Sequence, residues 1–115
     1  MKVTILVVVI GFIIYRLFMS LKRHMIKSKN LQKEIIYFTE EINKNPNDPR
    51  LYFLRGTCYH GQANFKLAID DYTKAYDLNP NNNSFPYKTG DNTFDNSIIL
   101  RNRISAKKSY GDKKG

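Results

Sequence analysis

The chain has 115 residues, a formal net charge of +9 and a single cysteine, Cys58, which limits it to one small domain and excludes an internal disulfide. Residues 1–36 hold seven Lys and Arg against one Glu, residues 37–82 hold five against six acidic residues, and residues 83–115 hold seven against three. Because the basic charge lies in the flanks and a nucleic-acid-binding domain would carry it on the fold itself, no nucleic-acid partner is expected.

The N-terminal segment is apolar and long. Residues 3–15 (VTILVVVIGFIIY) contain only Thr4 and Gly11 as interruptions, and Arg16 is followed by further apolar residues up to Leu21. Roughly 20 apolar residues are needed to cross a bilayer as a helix. Residues 1–21 are therefore predicted to form a transmembrane anchor that contacts the membrane through residues 3–21. A cleaved signal peptide and an interfacial helix are the alternatives, although no small-residue cleavage site follows the apolar run.

Charges on the two sides of this segment predict its orientation. Lys2 precedes the segment, whereas five basic residues follow or end it: Arg16, Lys22, Arg23, Lys27 and Lys29. The positive-inside rule then places the C-terminal side in the cytoplasm. Residues 22–30 lack an apolar period and are interpreted as a solvated basic juxtamembrane stem. A simple stop-transfer flank is the favoured interpretation of this stem, and contact of Lys22, Arg23, Lys27 and Lys29 with anionic lipid is the alternative.

Helical periodicity returns at Leu31. Four apolar residues fall at i, i+4, i+7 and i+11 and define one face of a helix: Leu31, Ile35, Phe38 and Ile42. The segment Asn45-Pro46-Asn47-Asp48-Pro49 ends this helix, because a proline disfavours the α conformation in the residue before it. Asp48-Pro49 also begins the next helix, as an N-cap acceptor followed by proline at the first helical position.

Two short amphipathic helices follow. The first runs from Pro49 to about Tyr59, and a turn over residues 60–64 leads to the second, which starts at Phe65 and ends before Asn79-Pro80. Gly61 is predicted to adopt the left-handed conformation in the turn. Gly56 lies inside the first helix, where glycine costs roughly 1 kcal/mol relative to alanine. This cost predicts that a neighbouring helix approaches closely at that position.

Residues 49–82 resemble a tetratricopeptide repeat, whose pattern is W-x2-L-G-x2-Y, then A-x3-F, then P within one repeat length. The residues that carry this resemblance, and that it places at packing positions, are Tyr52, Gly56, Tyr59, Ala68, Tyr72, Ala75 and Pro80. Pro46 also precedes Pro80 by the length of one such repeat. Residues 31–46 therefore resemble the second helix of a preceding repeat. The predicted fold is all-α: a transmembrane helix, a repeat-like helical domain over residues 31–82, and a disordered basic tail.

The resemblance implies a role in binding proteins. Tetratricopeptide repeats bind peptides or helices on a concave face formed mainly by their first helices. The residues placed on that face here are Arg50, Phe53, Thr57 and His60, which are predicted to be exposed. Contact with a protein partner is the functional interpretation of these residues, and plain packing positions are the alternative that we favour. Phe53 and Thr57 stand where chaperone-binding members carry Lys and Asn, so the resemblance does not support a carboxylate clamp.

Residues 83–115 form a polar, basic tail that does not continue the repeat. Phe94, Ile98, Leu100 and Ile104 allow one short helix over about residues 93–103, which would cap the repeat. From Arg103 onward the tail is predicted to be disordered. Because one and a half repeats leave the end after Tyr76 open, the tail, a partner protein or a second copy of the chain is expected to cover it.

No catalytic or metal-binding constellation is found. Cys58 and His60 are two residues apart and cannot face one another on a helix, and His24 does not complete a metal-ligand spacing. The sequence therefore predicts a non-enzymatic, single-pass membrane protein without cofactors that acts as a docking or assembly module. The alternatives are a structural accessory subunit of a membrane complex and a truncated repeat remnant, and self-association is compatible with each.

Overall fold

The computed structural model describes residues 2–86 and 92–114, with the side chains of Lys113 and Lys114 excepted. In these ranges the order of elements is α1 (Lys2–Lys44), α2 (Pro49–Gly61), α3 (Phe65–Asp77), β1 (Phe85–Pro86), β2 (Thr93–Phe94) and α4 (Asn96–Lys114). The chain divides into two compact units, Met1–Asn30 and Leu31–Gly115.

The first unit is the N-terminal part of α1. Its aliphatic and aromatic side chains are exposed, from Val3 at 72% to Val9 at 47%. The most apolar 18-residue window of α1 has a mean hydropathy of 2.3, and none of that window is buried. By length and composition, this helix can cross a membrane. Residues 22–30 also belong to α1, so the segment that was interpreted as a stem without helical periodicity is helical.

The second unit begins with the last turns of α1. Ile35, Phe38 and Ile42 are buried there, and Ile35 and Phe38 pack with Cys58 of α2. The predicted apolar stripe of residues 31–42 is thus the face that packs on the repeat. The Cys58 thiol donates a hydrogen bond to Glu34 Oε2 at 3.2 Å. Glu34 stands one repeat length before Ala68, so a carboxylate replaces a small packing residue in the half repeat.

The helix ends of the repeat follow the local sequence, with one difference. Asp48 caps α2 by accepting a hydrogen bond from the Arg50 backbone N–H at 3.0 Å, and Pro49 occupies the first turn. The left-handed residue between α2 and α3 is Ala63, with φ of 60°, and not Gly61 as predicted. Gly61 ends α2, and a Cβ there would lie 3.2 Å from Leu31 Cδ1. Gly61 therefore provides space for α1 and leaves the left-handed conformation to a residue outside the helix.

The crossing of α2 and α3 forms the centre of the core. A Cβ on Gly56 would lie 2.9 Å from Tyr72 Cε1 and 3.2 Å from Asp71 Cβ, so glycine at this position allows the close approach that the sequence predicted. Tyr72, Ala68 and Ala75 of α3 are fully buried. Among the predicted packing residues, Tyr52 and Gly56 are buried, Tyr59 is half-buried, and Pro80 is exposed just beyond α3.

The tail closes the side of the repeat that the sequence left open. Helix α4 packs against α3 and buries Ile99 and Ala106 completely. The prediction of a disordered tail from Arg103 onward was wrong, because α4 continues to Lys114. The start of the predicted short helix was also placed about three residues too early, since Phe94 lies in β2 and α4 begins at Asn96. Asp95 caps α4 by accepting hydrogen bonds from the backbone N–H groups of Ser97 and Ile98. Ile104 is 65% exposed and does not contribute to the cap.

A group of asparagines fixes the start of α4 to the end of α3. The Asn79 side chain is buried and donates hydrogen bonds to Asn83 O at 3.0 Å and Asn96 Oδ1 at 2.9 Å. Asn96 Nδ2 donates in return to Asn79 O at 2.9 Å, and Asn82, with φ of 51°, accepts from Asn96 N. The Asn run after Pro80 therefore forms an ordered connection, because each amide side chain satisfies backbone groups that would otherwise be unpaired.

Candidate functional site

The predicted binding face lies on α2, and each of its four residues has a different environment. Arg50 is exposed, and its guanidinium forms an ion pair with Asp48 at 2.7 Å. This side-chain hydrogen bond lowers the pKa of the Asp48 carboxyl. The Arg50 guanidinium also lies 5.9 Å from the centroid of the Phe85 ring. Arg50 is therefore held in place at the N-terminal end of the face.

Phe53 is not exposed as predicted. Only 1% of it is accessible, because the Phe94 ring stacks on it with 4.1 Å between centroids and an interplanar angle of 20°. Phe94 belongs to β2, which pairs with β1 in antiparallel register, Phe85 opposite Phe94. The Phe85 ring centroid lies 5.5 Å from that of Phe94. Residues from the segment after the repeat therefore cover the middle of the predicted binding face.

Thr57 and His60 are half-buried at the other end of α2. The Thr57 hydroxyl donates to the Leu54 carbonyl at 2.7 Å, so it is satisfied within its own helix. His60 Nδ1 lies 3.1 Å from Tyr72 Oη, and its ring meets Phe65 edge-on at 5.6 Å. Burial lowers the pKa of the His60 imidazole. His60 thus joins α2 to α3 as well as bordering the face.

The open part of this side is a cleft of about 240 Å³ beside Phe53. Its lining comes from α2, β2 with the residue before it, and α4: Phe53, Asn92, Thr93, Phe94, Ile98 and Asn102. Ile98 provides apolar surface beside the Phe53 and Phe94 rings, which are each 1% exposed, while two amides and a hydroxyl can hydrogen-bond to a peptide backbone. Only Phe53 in this set was predicted as a site residue. The periodicity of residues 31–82 gave no indication of the others, because they come from the segment after the repeat.

A partly buried ion pair joins Arg55 of α2 to Asp71 of α3. Arg55 Nε and Nη2 donate to the two carboxylate oxygens of Asp71, each at 2.8 Å, and Arg55 Nη1 donates to Thr39 Oγ1 at 3.2 Å. One side chain of α2 thereby joins α1 and α3. The structure places the Arg55 guanidinium on Asp71 of the neighbouring helix. The Arg55 side chain therefore stabilises the packing of these helices.

Residues 49–82 match the tetratricopeptide repeat family. This segment is a tetratricopeptide repeat. The match covers the span that the sequence pattern had indicated, and α2 and α3 are the two antiparallel helices of the repeat. Repeats of this kind are protein-interaction modules, so the repeat supports protein binding as the general role of this part of the chain. No solved structure matches the chain.

In the part of the chain that the structure describes, no group of three His, Cys, Asp or Glu side chains is arranged to hold a metal ion. Cys58 and His60 do not form a nucleophile and base. The Cys58 thiol is buried and bonded to Glu34, while His60 contacts Tyr72. What the site offers is a surface of amide and hydroxyl groups beside an isoleucine, which is suited to binding.

Proposed function

We propose that this chain is a non-enzymatic, single-pass membrane protein whose repeat docks another protein at the membrane. The observation that carries the proposal is a repeat packed by helices on both sides, within a chain that also has an exposed apolar helix. Repeat arrays need several helices to bury a continuous core. Here α1 and α4 bury Phe38 and Ile99 against the repeat, which favours a working module over a truncated remnant.

The proposed anchor is residues 3–21 of α1. Its aliphatic and aromatic side chains are exposed over the whole helix circumference, as expected for a helix that is surrounded by lipid. Arg16, near the cytoplasmic end, can extend its charged group to the headgroups. Lys22, Arg23, Lys27 and Lys29 then lie beyond the apolar segment, where contact with anionic lipid contributes about 1 kcal/mol per basic residue. In this orientation the repeat lies in the cytoplasm.

The anchor is tested by placing a charge at its centre. Val9→Arg costs about 3 kcal/mol in membrane insertion, and we expect this variant to be released by alkaline carbonate while the parent chain stays in the membrane pellet. Ile36→Arg is the matched control because Ile36 is also aliphatic, is 51% exposed and lies in the second unit. Equal retention of both variants in the pellet would contradict the anchor.

The proposed docking surface is the cleft beside Phe53, with Arg50, Thr57 and His60 along the same helix. A partner segment in this cleft would contact Ile98 and Thr93 and hydrogen-bond to Asn92 and Asn102. Phe53 and Phe94 are each 1% exposed, so they contribute as the packed base of the cleft and not as exposed contacts. A site of this kind fits an extended peptide, whose backbone supplies donors and acceptors to the two amides.

The experiment fills the cleft without disturbing the core. Asn102 is half-buried and lines the cleft, so Asn102→Trp should occupy the space of the partner. The control is Asn47→Trp, at an exposed position between α1 and α2. The intact chain and both variants are purified in mild detergent from membranes of cells that express them, and co-purifying proteins are quantified by mass spectrometry. A partner that Asn102→Trp loses and Asn47→Trp retains supports the cleft, whereas identical sets of proteins would contradict it.

A further inference from the structure

Helix α4 presents a cationic face that the repeat does not use. In the sequence, α4 holds six Lys and Arg against one Asp, for a net charge of +5. Arg103 points to α3, where it lies 5.5 Å from the Tyr76 ring centroid and 3.4 Å from Thr73 Oγ1. Arg101, Lys107 and Lys108 are exposed. On the helix, Arg101 and Lys108 lie opposite the buried Ile99 and Ala106, and Lys107 lies at the flank.

An exposed isoleucine lies at the centre of this face. Ile104 is 65% exposed, and Arg101, Lys107 and Lys108 are its i−3, i+3 and i+4 neighbours, which lie next to it on a helix. Among the side chains that the structure describes, none forms an ion pair with these three cations. Asp112, one turn beyond Lys108, is the carboxylate on the same side of α4. We define Arg101, Ile104, Lys107 and Lys108 as the α4 face.

We propose that the α4 face binds an anionic lipid surface, and this inference rests on the proposed membrane anchor. Charge complementarity supports lipid over protein, because lysine and arginine around one apolar side chain match a layer of acidic headgroups above acyl chains. The charge distribution agrees with this: α2 and α3 hold four Lys and Arg against three Asp, so the excess positive charge of the second unit belongs to α4. Docking would hold the repeat against the headgroups.

The chain offers a direct reporter because it contains no tryptophan. Ile104→Trp places one indole at the centre of the α4 face. The matched control is Tyr37→Trp, since Tyr37 is 56% exposed in α1 and has Glu34, Glu40 and Glu41 at the same i−3, i+3 and i+4 positions. The two variants therefore differ in the sign of the charge around the reporter and share its local geometry.

Each variant of the intact chain is reconstituted into nanodiscs of phosphatidylcholine alone or mixed with phosphatidylserine. We expect the emission of the Ile104→Trp variant to shift to shorter wavelength in the anionic discs only, and to return in 1 M salt, where the Debye length is about 3 Å. Neutralising Arg101, Lys107 and Lys108 together as glutamine should abolish the shift, with about a fivefold loss of the docking equilibrium per residue. The Tyr37→Trp variant should not respond.

The outcomes separate this inference from the anchor. If the chain is incorporated into the discs and the Ile104→Trp variant gives the same spectrum in both lipids, the α4 face does not bind lipid and the anchor stands. If the chain does not co-purify with the discs, both proposals fall.

Two further outcomes would assign the α4 face to another occupant. A shift that appears equally in phosphatidylcholine and rises with protein concentration would assign the face to a second copy. A shift on adding single-stranded RNA to phosphatidylcholine discs would assign it to nucleic acid. Either result overturns the lipid assignment.

Discussion

Arg55 and Asp71 form a two-pronged hydrogen-bonded ion pair between α2 and α3, with two N–O distances of 2.8 Å. The side chains are 18% and 7% exposed, and the guanidinium also lies 5.8 Å from the ring centroids of Tyr52 and Tyr59. The hydrogen bonds to Asp71 raise the pKa of Arg55. Because Arg55 also donates to Thr39, this pair joins the half repeat to the full repeat.

Removal of Arg55 should therefore destabilise the second unit. Arg55→Met keeps the aliphatic stem but leaves the buried Asp71 carboxylate without its partner, a change that costs about 3 kcal/mol in the free energy of unfolding. Urea unfolding of the intact chain in mild detergent, followed by circular dichroism, measures the loss. The double variant Arg55→Met, Asp71→Leu should recover most of it, since no unpaired charge remains. A double variant as unstable as Arg55→Met alone would contradict this explanation.

Gly56 should resist substitution although it lies within a helix. Alanine would gain about 1 kcal/mol from helix propensity, but its Cβ would lie 2.9 Å from Tyr72 Cε1, and overpacking of this kind costs about 1–3 kcal/mol. Gly56→Ala is therefore expected to lower the free energy of unfolding or leave it unchanged. Gly111→Ala in α4 is the control, because no atom lies within 4 Å of its added Cβ, and it should be stabilising. The same urea titration compares them, and equal stabilisation by both would be inconsistent with a tight crossing at Gly56.

The sequence was sufficient to predict the repeat and insufficient to predict its surroundings, for a physical reason. Gly56, Ala68 and Tyr72 specify the α2–α3 crossing by local spacing, so their pattern is visible within a single repeat. Phe53 has the same spacing as an exposed groove residue, but Phe94, which follows the whole repeat in the chain, covers it. A contact between segments that far apart leaves no trace in local periodicity, which is why the centre of the predicted face proved to be buried.

Helix α4 was missed beyond Arg103 for a related reason. Its fully buried side chains are Ile99 and Ala106, one large and one small, two helical turns apart. This leaves a weak apolar stripe within a basic sequence. The larger apolar residues that suggested a helix included Phe94 and Ile104, and the first lies in β2 while the second is exposed. Packing on α3 and the Asn79–Asn96 hydrogen bonds stabilise α4, and neither can be deduced from the composition of the tail.

His60 should make the stability of the second unit depend on pH below neutrality. Burial lowers the pKa of the folded-state imidazole from its ordinary value of 6.5. As the pH falls through that value, the unfolded chain therefore binds more protons than the folded chain. The free energy of unfolding decreases from about pH 6.5 down to the lowered pKa of the folded state. The stability contributed by this histidine is complete above pH 6.5. Urea midpoints measured from above neutrality down to about one pH unit below the ordinary histidine pKa should decrease.

The variant His60→Gln tests the origin of this dependence, because glutamine can hydrogen-bond to Tyr72 Oη but does not titrate. Its urea midpoint should be nearly constant over the same range. The control is His24→Gln, which removes the other histidine of the chain, and the decrease should persist in it. The Arg50 hydrogen bond lowers the pKa of Asp48. The stability that is lost when this carboxylate is protonated is therefore lost separately, below about pH 4. A decrease that survives in His60→Gln would assign the effect to another group.

Phe94 should be the side chain whose loss opens the predicted binding face. It is 1% exposed and stacks on Phe53, so Phe94→Ala should cost about 3–5 kcal/mol in the free energy of unfolding. Phe85→Ala is the matched control on the paired strand. Phe85 is half-buried and its ring centroid lies 5.5 Å from that of Phe94, so its removal should cost distinctly less.

Hydrogen exchange of the intact chain, analysed by mass spectrometry, shows where the stability is lost. Exchange should rise in α2 around Phe53 and at the start of α4, which follows β2 directly. Unchanged protection of both segments in Phe94→Ala would mean that α3 alone holds them, and that the face does not depend on the β1–β2 hairpin.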